Sequence, residues 1–190
     1  LLPTTITSTT EVKTNKISPA TGVAFALGDS GDTFTVPSGA TIVNSGTATG
    51  FGGGKILQAV SATDTTERTT TSTSFVTGSN TLTVDITPVA DTSKIFVMLS
   101  TTLYSYTGAK GVYLTIYRDV TNLGNAQGLI RILDQDSCCG YSGAGTCIVL
   151  DSPATTSAIT YQAYIKVDST STGGMNSNTS GFITAFEVGA

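Results

Sequence analysis

The side chains of this sequence that could do chemistry are its tyrosines, its carboxylates and three cysteines; histidine is absent. Without imidazole, a serine or cysteine nucleophile lacks its usual base. The carboxylates fall in turns, in ones and twos: Asp29 and Asp32, Asp64 and Glu67, Asp134 and Asp136. Asp134-Gln-Asp136 lacks the spacing, the glycine and the distal glutamate of an EF-hand calcium loop, so it reads as a solvated turn. Asp29-Ser-Gly-Asp32 is turn chemistry too, and no acid/base pair suited to cleaving glycosidic bonds stands out. "GFGGG" (50–54) is followed by neither Gly-Lys-Ser/Thr nor a helical pattern, which excludes a phosphate-cradling loop. The expectation is a protein without catalytic residues, metal site or cofactor.

Cys138, Cys139 and Cys147 share one glycine-rich segment. Three thiolates fall one short of a Cys₄ zinc set. Two readings stay open: a disulfide closing a short loop, Cys138–Cys147 being the candidate pair, or three reduced thiols. The tyrosines join an apolar ring to a polar tip, which favours interfaces. Tyr104, Tyr106 and Tyr141 are the candidates for a receptor-facing, sugar-binding set. The competing reading is that about half of the tyrosines, a group that also contains Tyr113, Tyr117, Tyr161 and Tyr164, cap a core.

These side chains must be held by β-structure. Only 12% of residues are charged, against roughly 25% in an average globular chain. Threonine, about a fifth of the sequence, supplies polar faces without charge and favours strands. The net charge of −4 and the lack of a Lys/Arg stripe argue against a nucleic-acid partner. No apolar run approaches the ~20 residues of a membrane-spanning helix, so no membrane insertion is expected, and Leu1-Leu2-Pro3 followed by threonines does not read as a secretory signal.

From residue 55 onward the patterning predicts about eight strands at sandwich spacing and no helix. Leu82, Val84 and Ile86 alternate with Thr81, Thr83 and Asp85; Val112, Leu114 and Ile116 alternate with Tyr113, Thr115 and Tyr117. Both patterns have the period of a half-buried strand. The unbroken apolar run Ile95–Leu99 predicts a strand covered on both faces. Lys55–Val60, Ile130–Leu133, Thr146–Leu150, Tyr161–Val167 and Phe182–Val188 complete the set. A jelly roll or similar β-sandwich is the natural packing.

Residues 1–54 read differently. Strands this short, set between Gly28-Asp-Ser-Gly31, Pro37-Ser-Gly39 and Ser45-Gly46, cannot form a stable sheet alone. Their apolar side chains, Phe25, Leu27, Phe34, Val36, Ile42, Val43 and Phe51, are too few for a private core. Three chains around an axis would pool them, gaining about 25 cal/mol per Å² of apolar surface removed from water. The expected architecture is therefore all-β: an extended, trimeric strand-and-turn stem (1–54), hinged at "GFGGG", before a β-sandwich (55–190).

The stretch "VKTNKISPATGVAFALGDSGDTFTVPSGATIVNSGTATGFGGGKILQAVSATDTTERTTTSTSF" resembles virion structural proteins of tailed phages of marine and freshwater bacteria, cyanophages among them. "ITPVADTSKIFVMLS", "LTIYRDVTNLGNA", "LDSPATTSAITYQAYIKV" and "FITAFEVGA" resemble the same group, so the likeness runs from Glu11 onward. The cysteine segment departs from it. The resemblance implies a non-enzymatic protein of the tail-fibre, head-fibre or decoration type, assembled in the host cytoplasm and exposed on the virion surface. Its implied partners are its own copies in a homotrimer, other virion proteins (tail, portal-proximal or capsid proteins) and a host-surface glycan. A fibre component for host attachment is the leading expectation. A capsid decoration (cement) protein is the alternative, and a lectin-like carbohydrate-binding module the third.

Overall fold

A computed structural model describes residues 31, 33, 35–41, 43, 55–106, 111–133, 140–168 and 172–189 of the chain. The chain divides into two units, Leu1–Thr49 and Gly50–Ala190. Of the stem residues, Phe25, Leu27, Phe34, Ile42 and Phe51 lie outside the described residues, as does the "GFGGG" hinge. Val36 and Val43 are described and are 37% and 83% exposed. Between them the Ala40 N–H donates to the Pro37 carbonyl at 3.1 Å, closing a turn at Ser38-Gly39.

The second unit contains β1 (Ile56–Asp64), β2 (Arg68–Thr70), β3 (Thr83–Ile86), β4 (Lys94–Ser105), β5 (Gly111–Arg118), β6 (Thr121–Asn122), β7 (Ile130–Leu133), β8 (Tyr141–Asp151), β9 (Ile159–Val167), β10 (Gly173–Met175) and β11 (Gly181–Val188). No helix occurs among the described residues. Among the described residues every strand pairing is antiparallel.

The first sheet is organised around β4. On one side β8 runs its whole length, from Ile95↔Asp151 to Ser105↔Tyr141. On the other side β11 covers Lys94–Ser100 and β10 covers Leu103–Ser105. Beyond them β1 pairs with β11, and β2 with β10. The second sheet runs β3-β9-β5, with β6 and β7 both on the far side of β5. Five pairings nest, first strand with last and then inward: β1 with β11, β2 with β10, β3 with β9, β4 with β8 and β5 with β7.

The two sheets pack face to face as a β-sandwich. Alternate residues of each strand point inward, as the period of two dictates. Leu82, Val84 and Ile86 are buried, as expected, between exposed Thr81, Thr83 and Asp85. They join Ile95, Val97, Leu99 and Leu103 of β4, Leu114 and Ile116 of β5, and Ala163 and Ile165 of β9 in one core. Each such Leu or Ile contributes about 1.5–3 kcal/mol on burial.

Two polar clusters penetrate that core with their bonds satisfied, as burial demands. Asp151 of β8 accepts from Arg118 Nη1 at 2.7 and 2.8 Å and from the Tyr161 hydroxyl at 2.6 Å, tying the two sheets together. Glu187, fully buried, accepts from the Gln58 amide at 2.5 Å and the Val89 N–H at 2.7 Å. Burial alone would raise the Glu187 carboxyl, but these donors outweigh it and hold it below the usual range.

Two strands reverse the sequence expectation. Within the run Ile95–Leu99 of β4 only Ile95, Val97 and Leu99 point inward; Phe96 and Met98 lie partly exposed on the outer face. The run Ile95–Leu99 is therefore not covered on both sides. In β5 the outward Tyr113 and Thr115 are buried, because chain segments fold over them.

Candidate functional site

Strand periodicity places Tyr104 and Tyr106 two residues apart, on the same side of the chain at the end of β4. What brings a carboxylate to them is a bend. Between β1 and β2 the chain turns at Thr65–Glu67, opposite the break between β10 and β11. Asp64 pins this bend. Its carboxylate accepts from the Thr66 N–H and the Thr81 N–H, each at 2.9 Å, and from Arg68 Nε at 2.9 Å. Burial would raise the Asp64 carboxyl, but the Arg68 guanidinium and the two amides more than offset it and keep the group ionised.

Across the bend, buried Asn176 has positive φ (63°), a conformation Asn tolerates better than most residues. Its side chain accepts from the Thr101 hydroxyl at 2.6 Å and donates to the Thr66 carbonyl at 3.3 Å. The bend is thus held from both strands.

Glu67 consequently projects beside the tyrosines. One of its carboxylate oxygens accepts from both the Tyr104 and the Tyr106 hydroxyls, each at 2.7 Å. The rings meet edge to face, with centroids 5.1 Å apart and planes at 80°. Tyr104 is 5% exposed and packs over Gly174; a Cβ there would lie 2.5 Å from the Tyr104 hydroxyl oxygen and 2.2 Å from the Arg68 carbonyl oxygen. Only glycine fits this close approach. Tyr106 and Tyr141 are 48% and 50% exposed.

An open depression of about 290 Å³ is lined by Tyr104, Ser105, Tyr106, Gly140, Tyr141, Ser142 and Ser177. The structure thus gathers Tyr104, Tyr106 and Tyr141, the three candidates from the sequence, around one cleft. The two phenol hydrogen bonds, that of Tyr104 first, hold Glu67 below the ordinary carboxylate value. The same carboxylate raises Tyr106, while burial and then Glu67 raise Tyr104. At neutral pH the cleft therefore has neutral phenols and exposed aromatic faces, with the ionised Glu67 held against the hydroxyls of two of its tyrosines. Such a surface can accept hydroxyl hydrogens and stack against the apolar face of a ring.

The other tyrosines are structural. Tyr161 anchors Asp151, its hydroxyl raised by burial and then by that carboxylate. Tyr117 and Tyr164 stack at 4.0 Å, and Tyr113 lies under Lys166. Cys147 is a free thiol, packed into the core from β8 and pushed up to about 12 by burial. Of the two readings the sequence leaves open, a bridge to Cys138 or a reduced thiol, the free Cys147 fits the second, and it behaves as a small apolar side chain. Cys138 and Cys139, like Asp134 and Asp136, lie outside the described residues.

The candidate-site residue that sequence reasoning does not single out is Glu67. It reads as one acid in a polar run, and its place beside Tyr104 depends on long-range pairing of β2 with β10 and of β10 with β4. Compared with protein-family models and with curated proteins, the chain matches none.

Proposed function

We propose that this chain is a non-enzymatic structural protein on the surface of a tailed-phage particle. It forms a homotrimer that docks on other virion proteins through its N-terminal stem and presents a jelly roll to the host surface. The observation that carries this reading is the polarity of the sandwich. β1 starts at Ile56, on the same rung as Lys94, the first residue of β4, whereas Tyr104, Tyr106 and Tyr141 gather at the last residues of β4. The described sandwich is thus joined to the preceding chain at one end and carries its aromatic cleft at the other. Twelve residues of β4 separate the two by about 35–40 Å at ~3.4 Å per residue.

The strand pairing supports the jelly-roll reading. Pairs formed first with last and then inward are those of one long hairpin, and β11 against β4 and β9 against β5 are the contacts made when it is rolled up. Jelly rolls are a recurrent architecture of viral and lectin domains, and the sequence resemblance to phage virion proteins points the same way. Exposed Val36 and Val43 are consistent with a stem that needs sister copies.

The ligand class follows from the cleft. The ionised Glu67 bound to Tyr104 and Tyr106 repels sialic, uronic and sulfated sugars, so the cleft suits a neutral sugar that stacks on its tyrosines. The test is a glycan array probed with the full chain, its Tyr141→Ala variant and its Glu67→Gln variant. Neutral glycans should be retained by the parent and lost by at least tenfold in both variants, the loss corresponding to about 1.4 kcal/mol. Retention of acidic glycans only, or of none, would overturn the attachment reading. Band intensities near those of the major capsid protein in purified particles would then favour the decoration protein.

A further inference from the structure

Among the described residues, the outer face of the first sheet carries a run of neighbouring apolar side chains. Following the rungs from β8 through β4 to β11, its outward residues are Leu150, Phe96 and Phe186, then Ile148, Met98 and Thr184, then Thr146, Ser100 and Phe182. Ile148 and Leu150 are each 56% exposed and Phe182 43%. Phe96 and Phe186 lie ring to ring at 6.4 Å. At the margin Ile56 and Val188 face one another across β1 and β11. Apolar patches of a few hundred Å² on soluble proteins are often functional.

We propose that this face seats a second copy of the same chain. The inference rests on the homotrimer reading above and names the surface that reading lacks. Charge is the first argument. The protein has net charge −4, so two copies repel at most orientations. Yet the outward positions of β1, β4, β8 and β11 include no carboxylate, and Lys94 is their single charge. Asp64, Asp151 and Glu187 of these strands all turn inward into the bonded clusters described above. An acidic protein can meet itself face to face here without placing like charges in contact, the condition for self-complementarity.

Position is the second argument. The apolar rungs lie at the end where β1 starts, whereas threonine and serine (Thr63, Ser100, Thr102, Thr146) take over toward the tyrosine end. Copies gathered by the segment preceding β1 would bring these patches toward a common axis and leave the clefts apart. Size is the third. Four strands ~4.8 Å apart and three rungs deep make a patch of roughly 200–300 Å², well short of the ~800 Å² per partner of a stable interface. The face therefore works with the stem and cannot replace it.

The experiment compares the full chain with its Ile148→Glu/Leu150→Glu variant, by light scattering across a dilution series and by hydroxyl-radical footprinting of Met98 and Phe182. Circular dichroism checks that both are folded. The parent should be an oligomer in which Met98 and Phe182 are protected at least threefold relative to the dissociated chain. The variant should dissociate at a concentration at least tenfold higher. An oligomeric parent whose two residues react equally before and after dilution, or a folded variant with unchanged dissociation, overturns this proposal and leaves the trimer intact. A parent monomeric at every concentration overturns both. Protection of Met98 in a monomer would mean that the face is covered from within its own chain, which also overturns the proposal.

Discussion

The outer faces of the two sheets have been finished in opposite ways. The second sheet is covered by its own chain. Phe75 lies over it, 6.3 Å from Tyr117 and under Lys166 Nζ at 4.8 Å. The connection after β6 closes the rest: the Lys166 ammonium donates to the Ala126 carbonyl at 2.6 Å, and Asn122 accepts from the buried Thr115 hydroxyl at 2.6 Å. Over the first sheet no described segment folds back, and Phe182, Ile148 and Leu150 face outward. The difference teaches that a strand's pattern reports its polarity, while coverage of its outer face is decided by connections elsewhere in the chain.

The sharpest way to break this comparison is to lift the cover from the second sheet. Gly128 has φ +79°, and a Cβ there would sit 2.7 Å from the Leu114 carbonyl oxygen and 3.0 Å from Phe75. Gly128→Ala should cost about 3 kcal/mol through backbone strain and overpacking, read as a fall in the urea midpoint with m unchanged. A loss under about 0.5 kcal/mol, the scale of an ordinary surface change, would show that the cover is dispensable.

Acid should act next, and on the first sheet. Asp64 and Glu187 titrate below their ordinary values of 3.8 and 4.5 in the fold. Their stabilisation is complete above the unfolded values and is lost as pH falls through the folded ones. Thermal midpoints should therefore change little from neutrality to about pH 5 and drop steeply below about pH 4. Glu187→Gln should lower the midpoint at neutral pH and flatten the acid limb; an unchanged limb would remove Glu187 from the account. The smallest effect belongs to the bare face. Ile148→Ser with Leu150→Ser should change unfolding free energy by no more than about 0.5 kcal/mol per site in dilute protein, since these side chains have little burial to lose.

Legibility followed the range of the interactions. Alternation in Leu82–Ile86 and Tyr161–Val167 marked strands whose inner residues are indeed buried, because period two is a local property. The apolar stretch Ile130–Leu133 coincides to the residue with β7. The additional strands β2, β6 and β10 were missed: at two or three residues each, they exist only as rungs on longer neighbours. β4 and β5 were misread in opposite senses for the reason the two faces give. At the cleft, Tyr104, Tyr106 and Tyr141 could be chosen by residue type, but Glu67 could not. Its partners are set by sheet pairing and by Asp64, whose role in the bend is invisible in one dimension.

β1 lies alongside β11 in register from Ile56↔Val188 to Asp64↔Gly181, with one bulge near Gln58. If the tyrosine tip is gripped while the tether before Lys55 is pulled, tension runs parallel to these strands. Their rungs are then sheared together and cannot be unzipped one by one. A domain hung this way resists being torn open at the joint where the load enters.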